Sequence, residues 1–521
     1  MVIRGALLLS AVLGSATAHA QSSRLWRPDE RVVLSDLSFV RAVAADQTYL
    51  FIASNEAMGV YNHRVRSWET PVSAADGYPR SPVTVALADP VDGSVWLGTQ
   101  DGLYNYSPLL REVRRISVGG GVIGLMLDRS AAFGGVYVRT RVGWEYVPPG
   151  GVIGRPPMNL PRPRDRVFPL TVEEILRRHP LLDGMRSLVL SDNRLRSFDY
   201  TSVAEIPFGN EFVVGTNGMG AILVDPLSAN FTPLHFGPLG TATGAVAETD
   251  RGVWVGVSGR ARRIGFTLVS ADLQQFIHDE GPPATGFGFN VVRDIVSRPS
   301  GMWAATDQGV VRFGEQGSWL LVDFQLPDRD AYALAHGDGG IWVGTRRGLA
   351  FLDDSGNVSH VSSTLGQPIT ALAAAGDSVW LGTDGGLVLY VPSLQELLVP
   401  ALMESEPQLL EPIRAIEYHR DTLVVATRQR LIWRGVDSEW SVEPPLVTVI
   451  GDIRALAIDR GGAWVGGDRG FVFFGFSSRE LRIYNLPDDL PGAVRDIEAT
   501  GEFLWVATTG GLVRFSKDAL R

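Results

Sequence analysis

Eleven short apolar runs recur along this 521-residue sequence. At their second position stand Arg41, Thr84, Ile123, Thr201, Gly244, Arg293, Tyr332, Thr370, Arg414, Arg454 and Arg495. Five of these are arginine, and four of the five fall in the last six runs. A guanidinium is permanently charged and presents a planar fork of donors that matches a carboxylate or a phosphate. If the runs are equivalent elements set around one axis, Arg293, Tyr332, Thr370, Arg414, Arg454 and Arg495 converge into a site for an anionic small molecule, glycan or peptide. The competing reading is structural, with each arginine paired to a neighbouring Asp294, Glu417, Asp496 or Glu498.

Other chemistry-bearing patterns are sparse. The histidines beyond His19 are His63, His179, His235, His278, His336, His360 and His419, and none pairs with another at ligand spacing. Glu417-Tyr418-His419-Arg420-Asp421 is polar enough for acid–base work, but its position predicts a solvated turn at a strand end. Asp353-Asp354-Ser355-Gly356-Asn357 begins like a calcium loop without completing the ligand set, so a tight turn is expected. No catalytic residue, metal ligand or cofactor site is assigned. Cysteine is absent, which excludes disulfides and thiolate zinc sites.

The elements that would position the arginines are repeats. Val95-Trp96-Leu97-Gly98-Thr99, Ile341-Trp342-Val343-Gly344-Thr345 and Val379-Trp380-Leu381-Gly382-Thr383 are near copies. Looser copies centre on Trp254, Trp303, Trp464 and Trp505, and four more put Phe51, Tyr137, Val213 or Val424 in place of the tryptophan. The period is about 40 residues, the length of one four-stranded antiparallel blade of a β-propeller. Tyr137 and Val213 stand 76 residues apart, almost two periods, which leaves room for a degenerate twelfth unit. Seven tryptophans at one phase are expected to fill the wedge between neighbouring blades rather than to line a ligand site. The glycine two residues after five of them, Gly98, Gly256, Gly344, Gly382 and Gly466, would admit close approach of backbone or another side chain.

Lys+Arg number 47 and Asp+Glu 57, a net charge of −10. Ala6 to Ala18 form a short apolar run after Arg4, and Ala18-His19-Ala20 fits a small-x-small cleavage site. Residues 1–20 are therefore expected to be a signal peptide cleaved near Ala20, with the mature chain periplasmic or secreted and without a membrane span. Its balance becomes −11, with 46 basic residues left after loss of Arg4, and this argues against nucleic-acid binding.

The motif Trp-x-Gly-Thr-x-x-Gly-Leu, as at Thr99-Gln100-Asp101-Gly102-Leu103 and Thr383-Asp384-Gly385-Gly386-Leu387, resembles the two-component regulator propeller repeat. The family's Gly-Leu-Pro linker is echoed at Asn485-Leu486-Pro487 and Leu490-Pro491. The resemblance covers about residues 38–518. It implies tandem propellers of the bacterial envelope, either the periplasmic sensor regions of hybrid histidine kinases that detect glycan fragments or proteins of secretion. The repeats run to the last residues, so a binding body without the family's output module is expected.

Eleven or twelve blades exceed the usual ring of four to eight, so two propellers are expected, residues 21–275 and 276–521, with the boundary placed in the long spacing of 49 residues between Trp254 and Trp303. Arg31–Leu34 could supply a missing last strand to the second and close it. Residues 150–186 break the pattern with Pro-rich stretches and a short helix capped by Thr171 with Glu174 three residues on, followed by strands at Leu188–Leu190 and Leu195–Phe198. The expected function is non-enzymatic ligand binding or scaffolding in the bacterial envelope. The alternatives are a subunit of a secretion or surface complex with an envelope protein partner, and a propeller lyase or hydrolase acting on polysaccharide.

Overall fold

The computed structural model describes residues 26–520 except 91, 129–134, 149–165, 180–193, 229, 260–262, 283–285, 299–300, 315–317, 365, 399–405 and 436–438. The cleavage site, the Pro-rich stretches and the strand expected at Leu188–Leu190 lie outside the described residues. The described chain forms eleven antiparallel sheets, numbered here as blades in chain order. Their inner strands begin at Ala42, Val83, Val122, Tyr200, Thr243, Val292, Ala331, Ile369, Ile413, Ile453 and Val494. The fold is a β-propeller.

The repeat residues explain the blade. Its second strand carries the tryptophan motif and is covered by sheet on both faces, so Val95–Thr99 is buried at every position. The outermost strand faces solvent, as in Glu112–Ile116, where only Ile116 is buried. The motif glycine lets the next blade in: a Cβ on Gly98 would lie 2.6 Å from Val122 Cγ1, and one on Gly466 would lie 2.4 Å from Val494 Cγ1. The motif threonine closes the turn to the third strand. Thr306 Oγ1 donates to Gly309 O at 2.7 Å, and Thr508 does the same to Gly511 O at 2.7 Å. Trp303 and Trp505 are fully buried, and Trp342 only partly.

Packing of the inner strands sorts the blades into two groups. Those of blades 5 to 11 pack in sequence, and the inner strand of blade 11, Val494–Ala499, packs against that of blade 5, Thr243–Thr249. Seven blades thus form a closed ring. The N-terminal strand Arg31–Leu34 pairs with Gly511–Ser516 and completes blade 11 (Val33 stands opposite Val513), so the two ends of the chain meet in one sheet. Blades 4, 1, 2 and 3 pack in that order as the second group. The division expected at 275/276 is therefore displaced: blade 5, Thr243–Asp279, belongs with the C-terminal blades, and the chain passes between groups within residues 235–242. The long spacing that suggested a boundary near 275 is taken up inside the ring, where Phe287 and Phe289 pack on Phe266 between blades 5 and 6.

The two groups share one apolar cluster that contains Leu34, Val43, Trp68, Val213, Phe236, Val255, Phe276 and Trp505. Phe236 packs at a tilt against Trp68, ring centroids 4.7 Å apart, and Gln274 hydrogen-bonds both backbone groups of Trp68. Continuity of this core fixes one group against the other.

The insertion occupies the side of the four-blade group between blades 3 and 4. Arg166–Val167 pairs with the inner strand of blade 3, and the helix Val172–Arg178 packs on that of blade 4. Its N-cap is a capping box: Glu174 N–H donates to Thr171 Oγ1 at 3.2 Å, and Thr171 N–H donates to Glu174 Oε2 at 2.9 Å. Of the strand expected over Leu195–Phe198 only a single-residue bridge at Ser197 forms, and Leu195 turns into the left-handed region at φ +58°.

Candidate functional site

The second residue of the inner strand is a β-bulge. In ten blades the pairing register slips across it, as between Val292 and Asp294, Ile413 and Ala415, and Val494 and Asp496. A bulge residue is released from the ladder and the strand bends there, so its side chain is re-aimed out of the sheet. In the closed ring the bulge positions are Gly244, Arg293, Tyr332, Thr370, Arg414, Arg454 and Arg495, and they encircle one mouth of the axis. Gly244 is confined to glycine, since a Cβ there would lie 2.1 Å from Val292 O. Arg41, Thr84, Ile123 and Thr201 hold the same phase in the other group, away from this mouth.

The ring therefore brings the six expected site residues together, but they are not equally available. Arg293 is half-buried, pairs with Asp330 at 2.6 Å, and lies over the Tyr332 ring at 4.7 Å. Arg454 pairs with Asp468 at 3.2 Å. The Thr370 hydroxyl lies 2.9 Å from Ile413 O and ties two blades together. Arg414 and Arg495 are exposed and form no ion pair among the described residues. The carboxylates considered as their partners, Asp294, Glu417, Asp496 and Glu498, make none of the ion pairs of the mouth. They lie one or three residues further along the strands, where the bulge has turned the arginines away from them.

Those four carboxylates form a second tier. Each is mostly covered by the protein packed round it. Burial raises Asp294 to about 6, and burial with repulsion from Asp294 raises Asp496 to about 7. Burial, then Asp496 and Glu248, raises Glu498 to about 8. Burial, then Glu498, Asp294 and Asp496, pushes Glu417 well above its usual range. This corrects the expectation of a solvated turn at Glu417. Only the end of that segment is a turn, with Arg420 and Asp421 at positive φ and Tyr418 Oη donating to Asp421 at 2.9 Å.

A further set of arginines at the mouth comes from the turns between second and third strands. Arg428 pairs with Asp452 at 2.8 Å, Arg347 with Asp328 at 3.3 Å, and Arg469 donates to Val447 O at 2.6 Å. Arg346, beside them, is exposed and forms no ion pair among the described residues. These positions follow the motif threonine (or its glycine equivalent, Gly467) by one or two residues, a phase that could have been read from the repeat alignment. Among the described residues no three His, Asp or Glu side chains stand close enough to hold a metal ion, and no helix is long and apolar enough to cross a membrane.

No protein-family model matches the chain, and no curated protein does. Solved structures do match. The extracellular domains of two putative hybrid two-component systems of B. thetaiotaomicron align over 92% of this chain. One is 14% identical, with 68% of its own length covered and a TM-score of 0.44; the other is 13% identical, with 70% covered and a TM-score of 0.46. A catalytically inactive virginiamycin B lyase from Staphylococcus aureus with quinupristin aligns over 53% of this chain and 95% of its own, at 14% identity and a TM-score of 0.45.

Proposed function

We propose that this chain is an exported, non-enzymatic binding propeller that takes the carboxylate or phosphate of an acidic glycan or peptide at the mouth of the seven-bladed ring. One observation carries the reading: Arg346, Arg414 and Arg495 surround that mouth without ion-pair partners among the described residues, in a chain of net charge −10. Unpaired guanidiniums recognise an oxyanion by paired, charge-assisted hydrogen bonds. Arg293, Arg454, Tyr332 and Thr370 form the frame between them. The signal-like N-terminus supports export, and the mass of the exported protein should correspond to a start at Gln21.

Calorimetric titration with oligogalacturonides and with acidic peptides tests the site. Binding should weaken as salt rises, because exposed charges are screened. The double variant Arg414→Ala/Arg495→Ala should lose at least about 10-fold in affinity, some 1.4 kcal/mol, with its melting temperature nearly unchanged. Equal affinity in the double variant removes the mouth as the site.

A further inference from the structure

A cavity lies in the four-blade group, lined by none of the residues of the arginine mouth. The inner strands of blades 1, 2 and 4 and the segment Pro169–Glu173 of the insertion line an open cleft of about 530 Å³, within the size range of small-molecule sites. Three charged side chains line it: Arg41, Glu173 and Asp199. Opposite charges around one cavity ordinarily draw together. Here none of the three forms an ion pair among the described residues.

Each is tied to a different part of the scaffold. Arg41 Nε–H donates to Asn55 Oδ1 at 2.8 Å, which fixes the guanidinium plane and leaves its terminal amino groups over. Asp199 is held by its backbone, whose carbonyl accepts from Asn217 N–H at 2.9 Å. Glu173 rides on a helix anchored by Ile175, which is 2% exposed and packs with Val203 and Phe212 in the core of blade 4. Thr84 and Thr171 also line the space, but their hydroxyls are committed to Val122 O and to the capping box. The three charged groups remain for a ligand, beside the hydroxyls of Thr201 and Ser202, of which Ser202 Oγ is buried without a hydrogen-bond partner.

We propose that this cavity is a binding site for a small zwitterion, a free amino acid, with the ligand carboxylate on Arg41 and its cationic groups on Glu173 and Asp199. Two carboxylates against one guanidinium make a basic amino acid, with two cations and one carboxylate, the best match. The ligand supplies the counter-charges that the scaffold withholds. This site is independent of the arginine mouth.

The test is calorimetric titration of the exported, mature chain with lysine, leucine, glutamate and cadaverine. Lysine should bind most tightly. Leucine should bind about 10-fold more weakly, and cadaverine, which lacks the carboxylate, weaker still. Glu173→Gln should erase the preference of lysine over leucine, and Arg41→Gln the preference of lysine over cadaverine. Both residues are exposed, so melting temperatures should stay at the parent value. The Arg414→Ala/Arg495→Ala variant should bind lysine as the parent does, which separates this site from the mouth. Absence of binding by all four probes, equal binding by all four, or a lysine preference that survives Glu173→Gln would each overturn the assignment.

Discussion

Asp496, in the last blade, accepts a hydrogen bond from the backbone N–H of Val246, 250 residues earlier, at 2.8 Å. Asp294 makes the same contact with Leu334 N–H at 2.6 Å. Both aspartates directly follow the bulge residue, where blades 5 and 7 to 10 carry alanine. The Asp496 contact spans the seam at which the ring closes. Asp496→Ala should leave the Val246 amide unsatisfied, destabilise the chain by about 1–3 kcal/mol and speed hydrogen exchange at Val246. Asp496→Asn keeps a carbonyl acceptor without the charge and should melt at or above the parent at pH 8. An alanine variant as stable as the parent would show that the seam does not depend on this bond.

The carboxylate tier gives a pH dependence of definite sign. A carboxyl raised in the folded state favours the protonated fold. Its contribution is complete below the ordinary carboxylate range, about pH 4, and is lost as pH rises through the folded values. Those values are about 6 for Asp294, about 7 for Asp496 and about 8 for Glu498. His235 and His278, both lowered by burial, act in the opposite sense as pH falls below about 6.5, so the informative quantity is a difference between variants. Glu498→Gln should match the parent near pH 5 and melt above it near pH 8. Coincident melting curves at pH 8 would mean that Glu498 carries no buried charge.

Trp303 is fully buried in the cluster between blades 6 and 7, with Arg312 over its ring at 4.8 Å and its indole N–H without a partner. Trp303→Ala should cost about 3–5 kcal/mol by denaturant unfolding. Trp303→Phe should cost distinctly less, because it keeps an aromatic filling and removes the unsatisfied donor. Equal losses would show that the indole makes an interaction beyond filling the wedge.

The blade, the bulge phase and the capped helix were readable because each depends on residues within about one period of one another. The grouping into seven and four was not. It is set by the packing of Val494–Ala499 on Thr243–Thr249, a contact between strands with ordinary repeat sequences. The longest regular spacing pointed to a boundary near 275, but extra loop residues add little closure cost and need not mark a change of ring. Trp254 follows Val213 by an ordinary period, so the passage between groups leaves no trace in the spacing. The partners of the arginines were hidden for a related reason. Asp330 and Asp468 reach Arg293 and Arg454 from the loop before the next inner strand and from a turn of the same blade, whereas the carboxylates nearest in sequence are turned aside by the bulge.

The bulge has a consequence for how such a protein changes over time. Its residue is free of the ladder and sits at the brim rather than in the wedge, so the fold places few demands on its type: the closed ring accepts arginine, tyrosine and threonine there, and requires glycine only at Gly244. The other six places around one opening amount to a set of interchangeable letters on a fixed dial. A new ligand preference can be written there one substitution at a time, without reopening the question of how the chain folds.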